Sequence, residues 1–289
     1  MPENAIDSGK SLALNCLPGS LIDKWPIVRN ILKEKLRRNE VTFGAELSIN
    51  HPDIAEMIAS IGFDWVFIDM QHSPLAIGDV QSMLQVMSYS ETVPIVRTAW
   101  KDRPMIQHVV DVGAYGLVVP FVESREEMEE IVSFARFPPK GTRSFGPRRA
   151  ALRDGDYVRT VEKELFIAPM IETEKAIRNL DEILSVEGVD GCMIGPNDLS
   201  LSLGISTPRA DSPSEDKLKL QEAIKEILRA STRRGLPVGI LGVPYDVGTM
   251  LEQGFKMIGV VGIDLWFLRD AYVKALEQAK EKYASLRKR

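Results

Sequence analysis

From Val41 onward the chain alternates short apolar runs with longer stretches whose apolar residues recur at helical spacing. The apolar runs predict strands at Val41–Leu47, Asp64–Asp69, Val93–Thr98, Gly116–Pro120, Leu165–Ile171, Val189–Ile194, Pro237–Leu241 and Lys256–Val261. Helices are predicted between them, at 52–61, 78–89, 103–112, 124–136, 174–185, 215–234 and 244–253, with 263–286 last. The segment Leu165–Asp198 shows the logic most clearly. Two apolar runs flank a stretch with Ala176, Ile177, Leu180, Ile183 and Leu184 on one face, which reads as strand–helix–strand and makes the two strands parallel neighbours. Repeated to the end of the chain, the alternation gives the strand and helix count of a (β/α)8 barrel. A doubly wound sheet is the alternative, but GAELSINH after the first strand is no glycine-rich phosphate turn.

Residues 1 to about 25 carry Pro2, Gly9, Pro18 and Gly19 and read as an extension, followed by a helix-like run, Trp25–Arg38. The division expected is 1–40 for the extension and its helix, and 41–289 for the barrel. The break at 138–156 falls between the fourth and fifth strands and reads as a connection near the active face, while 204–214 reads as a polar loop, a lid over the site.

The chain has 289 residues, enough for one large barrel, and its net charge of −5 with no basic stripe argues against nucleic acid as a partner. No apolar run is long enough to span a membrane, and the N-terminus lacks the pattern of a signal peptide. The two cysteines, Cys16 and Cys192, form no metal-ligand pattern, and Cys192 falls inside a strand as a buried, inert thiol. These features predict a cytoplasmic protein.

In a barrel, residues at the C-terminal strand ends converge on one site. Here those ends carry Glu46, Asp69 with His72, Arg97, Pro120, Glu172, and Gly195–Asp198, while the later ends bring only Gly242 and Gly262. Glu172 and Asp198 close adjacent parallel strands, so their oxygens are expected to converge on a hard divalent ion; a helix cap and a turn residue are the bland alternatives. His72 is the one histidine of three in a strand-end loop, and beside a metal it is the natural general base. Asp69 reads either as an acceptor behind that histidine or as a helix cap. Arg97 is suited to hold a carboxylate or to stabilise an oxygen gaining charge, unless it forms a structural salt bridge to a strand-end acid. His108 reads as helix surface. Asp111, one turn before its helix ends, opposes the helix dipole and hints at a paired role.

The motifs GFDWVFIDMQHSP, VPIVRT, VVDVGAYGLVVPFV, ARFPPKGTRSFGP, MIETEKAIRNLDEIL and VEGVDGCMIGPNDLSLSLG together resemble the HpcH/HpaI aldolase/citrate lyase family. The nearer resemblance is to its 4-hydroxy-2-oxoheptanedioate aldolase-like branch of class II pyruvate aldolases, over about residues 41 to 270. The resemblance implies a (β/α)8 barrel of the phosphoenolpyruvate/pyruvate type, often hexameric, with the last helix exchanged between subunits. It implies Glu172 and Asp198 as metal ligands, His72 as base, Arg97 as the charge-stabilising arginine, and Asp111 as the acid that raises the basicity of the histidine. Gly195, Pro196 and Asn197 fall where the family's backbone meets the pyruvate carboxylate, together with Asp198. Three features depart from the family pattern. Gln71 stands where glutamate precedes the histidine, Met170 replaces a substrate-binding glutamine, and SFGPRRA brings Arg148 and Arg149.

The expected reaction is reversible cleavage of a 4-hydroxy-2-oxo acid to pyruvate and an aldehyde through a metal-bound enolate, with Mg²⁺ first and Mn²⁺ or Co²⁺ as alternatives. No predicted strand end carries a lysine for Schiff-base chemistry. The rivals are a decarboxylase of oxaloacetate type using the same enolate, and a catalytically silent metabolite-binding homologue. Arg148 and Arg149 either hold a distal carboxylate of the acceptor or face solvent. The final stretch has Leu268, Ala271, Tyr272, Ala275 and Leu276 at core spacing, and with the helix exchange that the resemblance implies, an obligate homo-oligomer is expected.

Overall fold

In a computed structural model, residues 28–206, 213–241 and 247–287 are described. The extension before residue 28, Cys16, Gly242 and most of the expected lid at 204–214 lie outside them. In chain order the elements are α1 (Ile31–Arg37), β1 (Thr42–Leu47), α2 (Pro52–Ser60), β2 (Trp65–Asp69), α3 (Ile77–Met87), β3 (Val93–Arg97), α4 (Arg103–Asp111) and β4 (Gly116–Val119). There follow α5 (Arg125–Ala135), α6 (Arg148–Arg153), α7 (Tyr157–Glu164), β5 (Phe166–Ile171), α8 (Glu174–Arg178), α9 (Leu180–Leu184) and β6 (Cys192–Ile194). The chain continues through α10 (Pro196–Ser202), α11 (Ser214–Arg233), β7 (Val238–Leu241), α12 (Val247–Gln253), β8 (Met257–Val261) and α13 (Asp264–Arg287).

Eight parallel strands close in sequence order, β1 pairing with both β2 and β8, so the doubly wound alternative is excluded. The strands read as continuous apolar runs because both faces are covered. One face packs on the helices in a large outer core; the other fills the barrel with Trp65, Phe67, Ile95, Val118, Phe166, Ala168, Met193 and Met257. Size is balanced across this interior. A Cβ on Gly44 would collide with the Trp65 indole, so the bulk of one strand occupies the space the other leaves.

Helix α1 closes the N-terminal end of the barrel. Leu32 is fully buried in the interior cluster, and Lys33 pairs with Asp190 at 2.6 Å and donates to the Leu165 carbonyl at 2.9 Å. The helix expected over 174–185 is two short helices. They break at Asn179, whose side-chain amide donates to the Glu123 carbonyl at 2.7 Å instead of continuing the helix. The 138–156 connection contains α6, which packs against α4. Cys192 is buried in the outer core, with the Ser231 hydroxyl 3.3 Å from its sulfur.

The last helix is the exception to this packing. Over α13 only Asp264 is buried, and Leu265, Trp266, Phe267, Leu268, Tyr272, Val273 and Leu276 are exposed. No described helix is long and apolar enough to cross a membrane.

Candidate active site

The C-terminal ends of the strands surround a cavity of about 580 Å³. Its lining includes Glu46, Ser48, Asp69, His72, Arg97 and Met170, the run Ile194–Asp198, and the start of α13. The four odd-numbered strands each give one residue to it, namely Glu46, Arg97, Met170 and Leu241. This is the uppermost of the side-chain layers that fill such a barrel.

Glu172 follows directly on β5 and is 1% exposed. Its Oε1 accepts the Phe121 N–H at 2.7 Å, whereas its Oε2 is buried with no hydrogen-bond partner. Burial, opposed by the Phe121 hydrogen bond and reinforced by the nearby Asp198 charge, pushes the carboxyl up to about 7. Phe121 holds its N–H there at a positive φ of 52°, a conformation that costs a non-glycine residue energy and is found where geometry is functional. Lys101 anchors the same residue by donating to the Phe121 carbonyl at 2.8 Å.

Because Ile171 pairs with Ile194, Glu172 stands beside Gly195, the residue that follows β6. A Cβ on Gly195 would collide with Glu172 Oε2, so glycine is needed for the carboxylate to lie over this backbone. Three residues on, Asp198 sits in the first turn of α10, lines the cavity and accepts no hydrogen bond from the described residues. Pro196 at the first helical position and Asn197 complete the turn that brings it there.

Across the cavity, Arg97 donates from Nε and Nη2 to Asp69 at 2.8 and 2.7 Å, a bidentate pair set by the register of β2 against β3. Its Nη1 faces Met170 Sδ at 3.5 Å, and its guanidinium lies 5.4 Å from the Phe67 ring centroid. Asp69 also accepts the backbone N–H groups of Gln71 and His72, at 2.9 and 3.3 Å, and so shapes the loop that carries the histidine. The His72 ring is exposed, lines the cavity and makes no side-chain hydrogen bond. Gln71 turns away from the cavity, and its Oε1 is buried without a partner.

The structure therefore brings His72, Arg97, Asp69, Met170, Glu172 and Gly195–Asp198 together. Asp111 is not among them. It closes α4, a nine-residue helix that runs away from the strand ends, and at ~1.5 Å per residue it lies about 12 Å below that face. There it accepts from Arg143 at 2.5 Å, so within one chain it does not support His72. Arg148 and Arg149 also do not line the cavity. Arg149 donates to the carbonyls of Val112 and Leu84, at 2.6 and 2.7 Å, and ties α6 to the helices beneath it. Of the two alternatives for this pair, a hold on a substrate carboxylate finds no support in the cavity of one chain. His108 lies on the helix surface, as expected, and His51 caps α2, a role not read from the sequence.

Among the described residues no three histidines, cysteines or acids cluster into a metal cage. The donor set is two carboxylates with open space beside them, which suits a hard divalent ion that keeps water or substrate oxygens as its remaining ligands. The unpartnered Oε2 of Glu172 fits such an ion. Glu46, Ser48 and Asp264 are the residues of this face to which sequence reasoning gave no role. The alternation of Gly44, Glu46 and Ser48 along one strand is a signal that could have pointed to the first two.

The family model described as HpcH/HpaI aldolase/citrate lyase matches residues 45–271. The 2-keto-3-deoxy-L-rhamnonate aldolase of Escherichia coli strain K12 is 36% identical over 259 residues, covering 88% of this chain and 94% of its own length. Among solved structures, an HpcH/HpaI aldolase from Desulfitobacterium hafniense superposes with a TM-score of 0.77 at 30% identity, covering 86% of this chain and 96% of that one. The citrate synthase SbnG superposes at 0.75 with 27% identity, covering 87% and 98%. A closed parallel barrel, a strand-end site and a family match across most of the chain agree, and the protein belongs to the HpcH/HpaI aldolase/citrate lyase family of carbon–carbon lyases.

Proposed function

We propose that this lyase cleaves a 4-hydroxy-2-oxo acid to pyruvate and an aldehyde, reversibly, with a divalent cation held by Glu172 Oε2 and Asp198. The observation that carries the reading is the buried, unpartnered Oε2 beside a second carboxylate free of hydrogen bonds from the described residues. When bound, a divalent cation such as Mg²⁺, with Mn²⁺ and Co²⁺ as alternatives, supplies Lewis-acid polarisation of a 2-oxo acid.

The remaining roles fall to the chain's own residues. The backbone turn Gly195–Asn197 receives the pyruvate carboxylate: it lines the cavity, and the Asn197 N–H has no hydrogen bond to a described residue, whereas Pro196 has no N–H and that of Gly195 donates to the Ile171 carbonyl. His72, free of other partners, takes the proton from the 4-hydroxyl as the C3–C4 bond breaks. The electron pair of that bond stays with the pyruvate half, which is then protonated at C3, and the other half leaves as the aldehyde. Arg97, immobilised by Asp69, faces the oxygen on which charge develops. Met170 offers Arg97 a sulfur where an amide would hold substrate.

The active unit in this reading is a homo-oligomer, a hexamer built from dimers. The apolar residues of α13 have no cover in one chain, and Phe43, Met57, Ile61, Leu251 and Val260 are exposed on the barrel wall around β1 and β8. An uncovered helix and an uncovered wall on the same molecule are relieved together by exchange of α13 between copies.

The test is incubation of purified protein with pyruvate, a panel of aldehydes and Mg²⁺, Mn²⁺ or Co²⁺, with oxaloacetate in parallel. Metal-dependent formation of 4-hydroxy-2-oxo acids supports the reading. Turnover of oxaloacetate to pyruvate and carbon dioxide, with no aldol product from any aldehyde, overturns it in favour of a decarboxylase.

A further inference from the structure

Strand β1 turns Glu46 into the barrel, in register with the interior residue Phe67, and Glu46 lines the floor of the cavity. Its side chain is 6% exposed yet takes part in no hydrogen bond or ion pair with any described residue. Its charged neighbours are already engaged. Asp69 is filled by Arg97 and two backbone N–H groups. Arg97 gives Nε and Nη2 to Asp69 and turns Nη1 to Met170. Asp264 accepts from the backbone of Ser48, Ile49 and Leu265 and from the Ser48 hydroxyl. A carboxyl group this deep without a partner is costly, and the open cavity is the one direction from which a partner can come.

The barrel geometry says which part of a substrate meets it. In the strand order β1 lies diametrically across from β5, whose end carries Glu172, with Asp198 after the adjacent β6. A 2-oxo acid held at β5 and β6 extends its aldehyde-derived half over His72 and Arg97 toward β1. The groups lining the cavity there are Glu46, Ser48, Asp270 and the apolar start of α13, with Asp264 held behind them by Ser48 and Ile49. Arg97 is the sole lysine or arginine lining the cavity among the described residues, and Asp69 neutralises it. Such surroundings disfavour an anionic tail, whereas a hydroxyl can hydrogen-bond to a carboxyl group in either protonation state.

We propose that Glu46 is a specificity-determining residue of this enzyme, taking a hydrogen bond from a hydroxyl on the aldehyde-derived half, so that the substrate class is neutral, polyhydroxylated 4-hydroxy-2-oxo acids. This rests on the aldolase reading. It runs against the alternative in which Arg148 and Arg149 hold a carboxylate of the acceptor.

The experiment compares kcat/KM for pyruvate addition to D-glyceraldehyde, propanal and succinic semialdehyde in the wild type, Glu46→Gln and Glu46→Leu. The wild type is expected to favour glyceraldehyde over propanal by about tenfold or more, because a site built for a hydroxyl rejects the analogue lacking it. In Glu46→Leu that ratio should collapse to about twofold or less, and the variant should melt at a higher temperature once the unpaired carboxyl is gone. The near-isosteric Glu46→Gln, which keeps the shape without the charge, should give an intermediate ratio and decides the matter if the leucine variant does not fold. A glyceraldehyde-to-propanal ratio unchanged in both variants, or a wild type that prefers succinic semialdehyde, overturns the assignment of Glu46. If the wild type also fails to exchange pyruvate methyl protons in deuterated water, the aldolase reading falls and this inference with it; exchange with an unchanged ratio overturns this inference alone.

Discussion

Asp69 and Arg97, the terminal residues of neighbouring strands, meet in a buried bidentate ion pair with N–O distances of 2.8 and 2.7 Å. The pair fixes the guanidinium against the cavity while two backbone N–H groups hold the acid. Asp69→Ala leaves a buried guanidinium without its counter-charge, so it is expected to destabilise the fold by about 3 to 5 kcal/mol in denaturant unfolding. Arg97→Lys keeps a charge but loses the fork. It should lower kcat by more than tenfold with a smaller loss in unfolding free energy than Asp69→Ala. Equal stability of Asp69→Ala and wild type would remove the structural half of this account.

A second prediction concerns pH. The Glu172 carboxyl is pushed up to about 7, and a proton there competes with a cation. Metal affinity measured by calorimetry should fall about tenfold per pH unit below 7 and level off above it. The same shift acts on the metal-free fold. Glu46 is also raised to about 7 by burial, with Asp69 adding to the effect. Between about 4.5 and 7 the folded state holds more protons than the unfolded state, so stability declines as pH rises through that window. Urea titrations in chelator should show that decline, and added Mg²⁺ should offset it at pH 8. Metal affinity independent of pH from 5 to 8 would contradict the assignment of Glu172.

The arginines of the 138–156 connection give a third. Arg149 satisfies two backbone carbonyls, so Arg149→Ala should cost about 1 to 3 kcal/mol in unfolding. The ratio of kcat/KM for carboxylate-bearing and neutral acceptors should not change. A selective loss of activity toward anionic acceptors would return this residue to the substrate.

A fourth follows from α13. Sedimentation at micromolar concentration should find an oligomer, and truncation before Asp264 should give soluble aggregates or a smaller species with lower melting temperature. Asp264 itself caps the turn after β1 through the Ser48 and Ile49 N–H groups, so its loss adds to the effect. A monodisperse full-length monomer would refute helix exchange.

Much of this was legible in the residues. The apolar runs gave every barrel strand to within a few positions, because strands buried on both faces leave little room for polar side chains. Glu172 and Asp198 could be placed on one face from the strand–helix–strand pattern alone, since parallel neighbours bring their C-terminal ends together. Asn179 broke a helix that periodicity ran straight through, because a side-chain hydrogen bond to Glu123 is a tertiary event with no local signature. Asp111 was read from its place near a helix end and from the family resemblance, and Arg149 from the loop that carries it, yet their partners, Arg143, Val112 and Leu84, are distant along the chain. Glu46 stood in plain view as a strand-end acid. What the sequence withheld was that its neighbours would all be occupied.

The account turns on a pyruvate half held at Glu172 and Asp198 and made acidic at its methyl carbon. The most direct test is proton NMR of pyruvate in deuterated water with the wild-type protein and Mg²⁺, repeated with chelator and with Asp198→Ala. The expected result is loss of the methyl signal in the first sample and its persistence in the other two. Exchange of equal rate in chelator or in Asp198→Ala would contradict the central claim, as would a methyl signal unchanged with the wild type under Mg²⁺, Mn²⁺ and Co²⁺ alike.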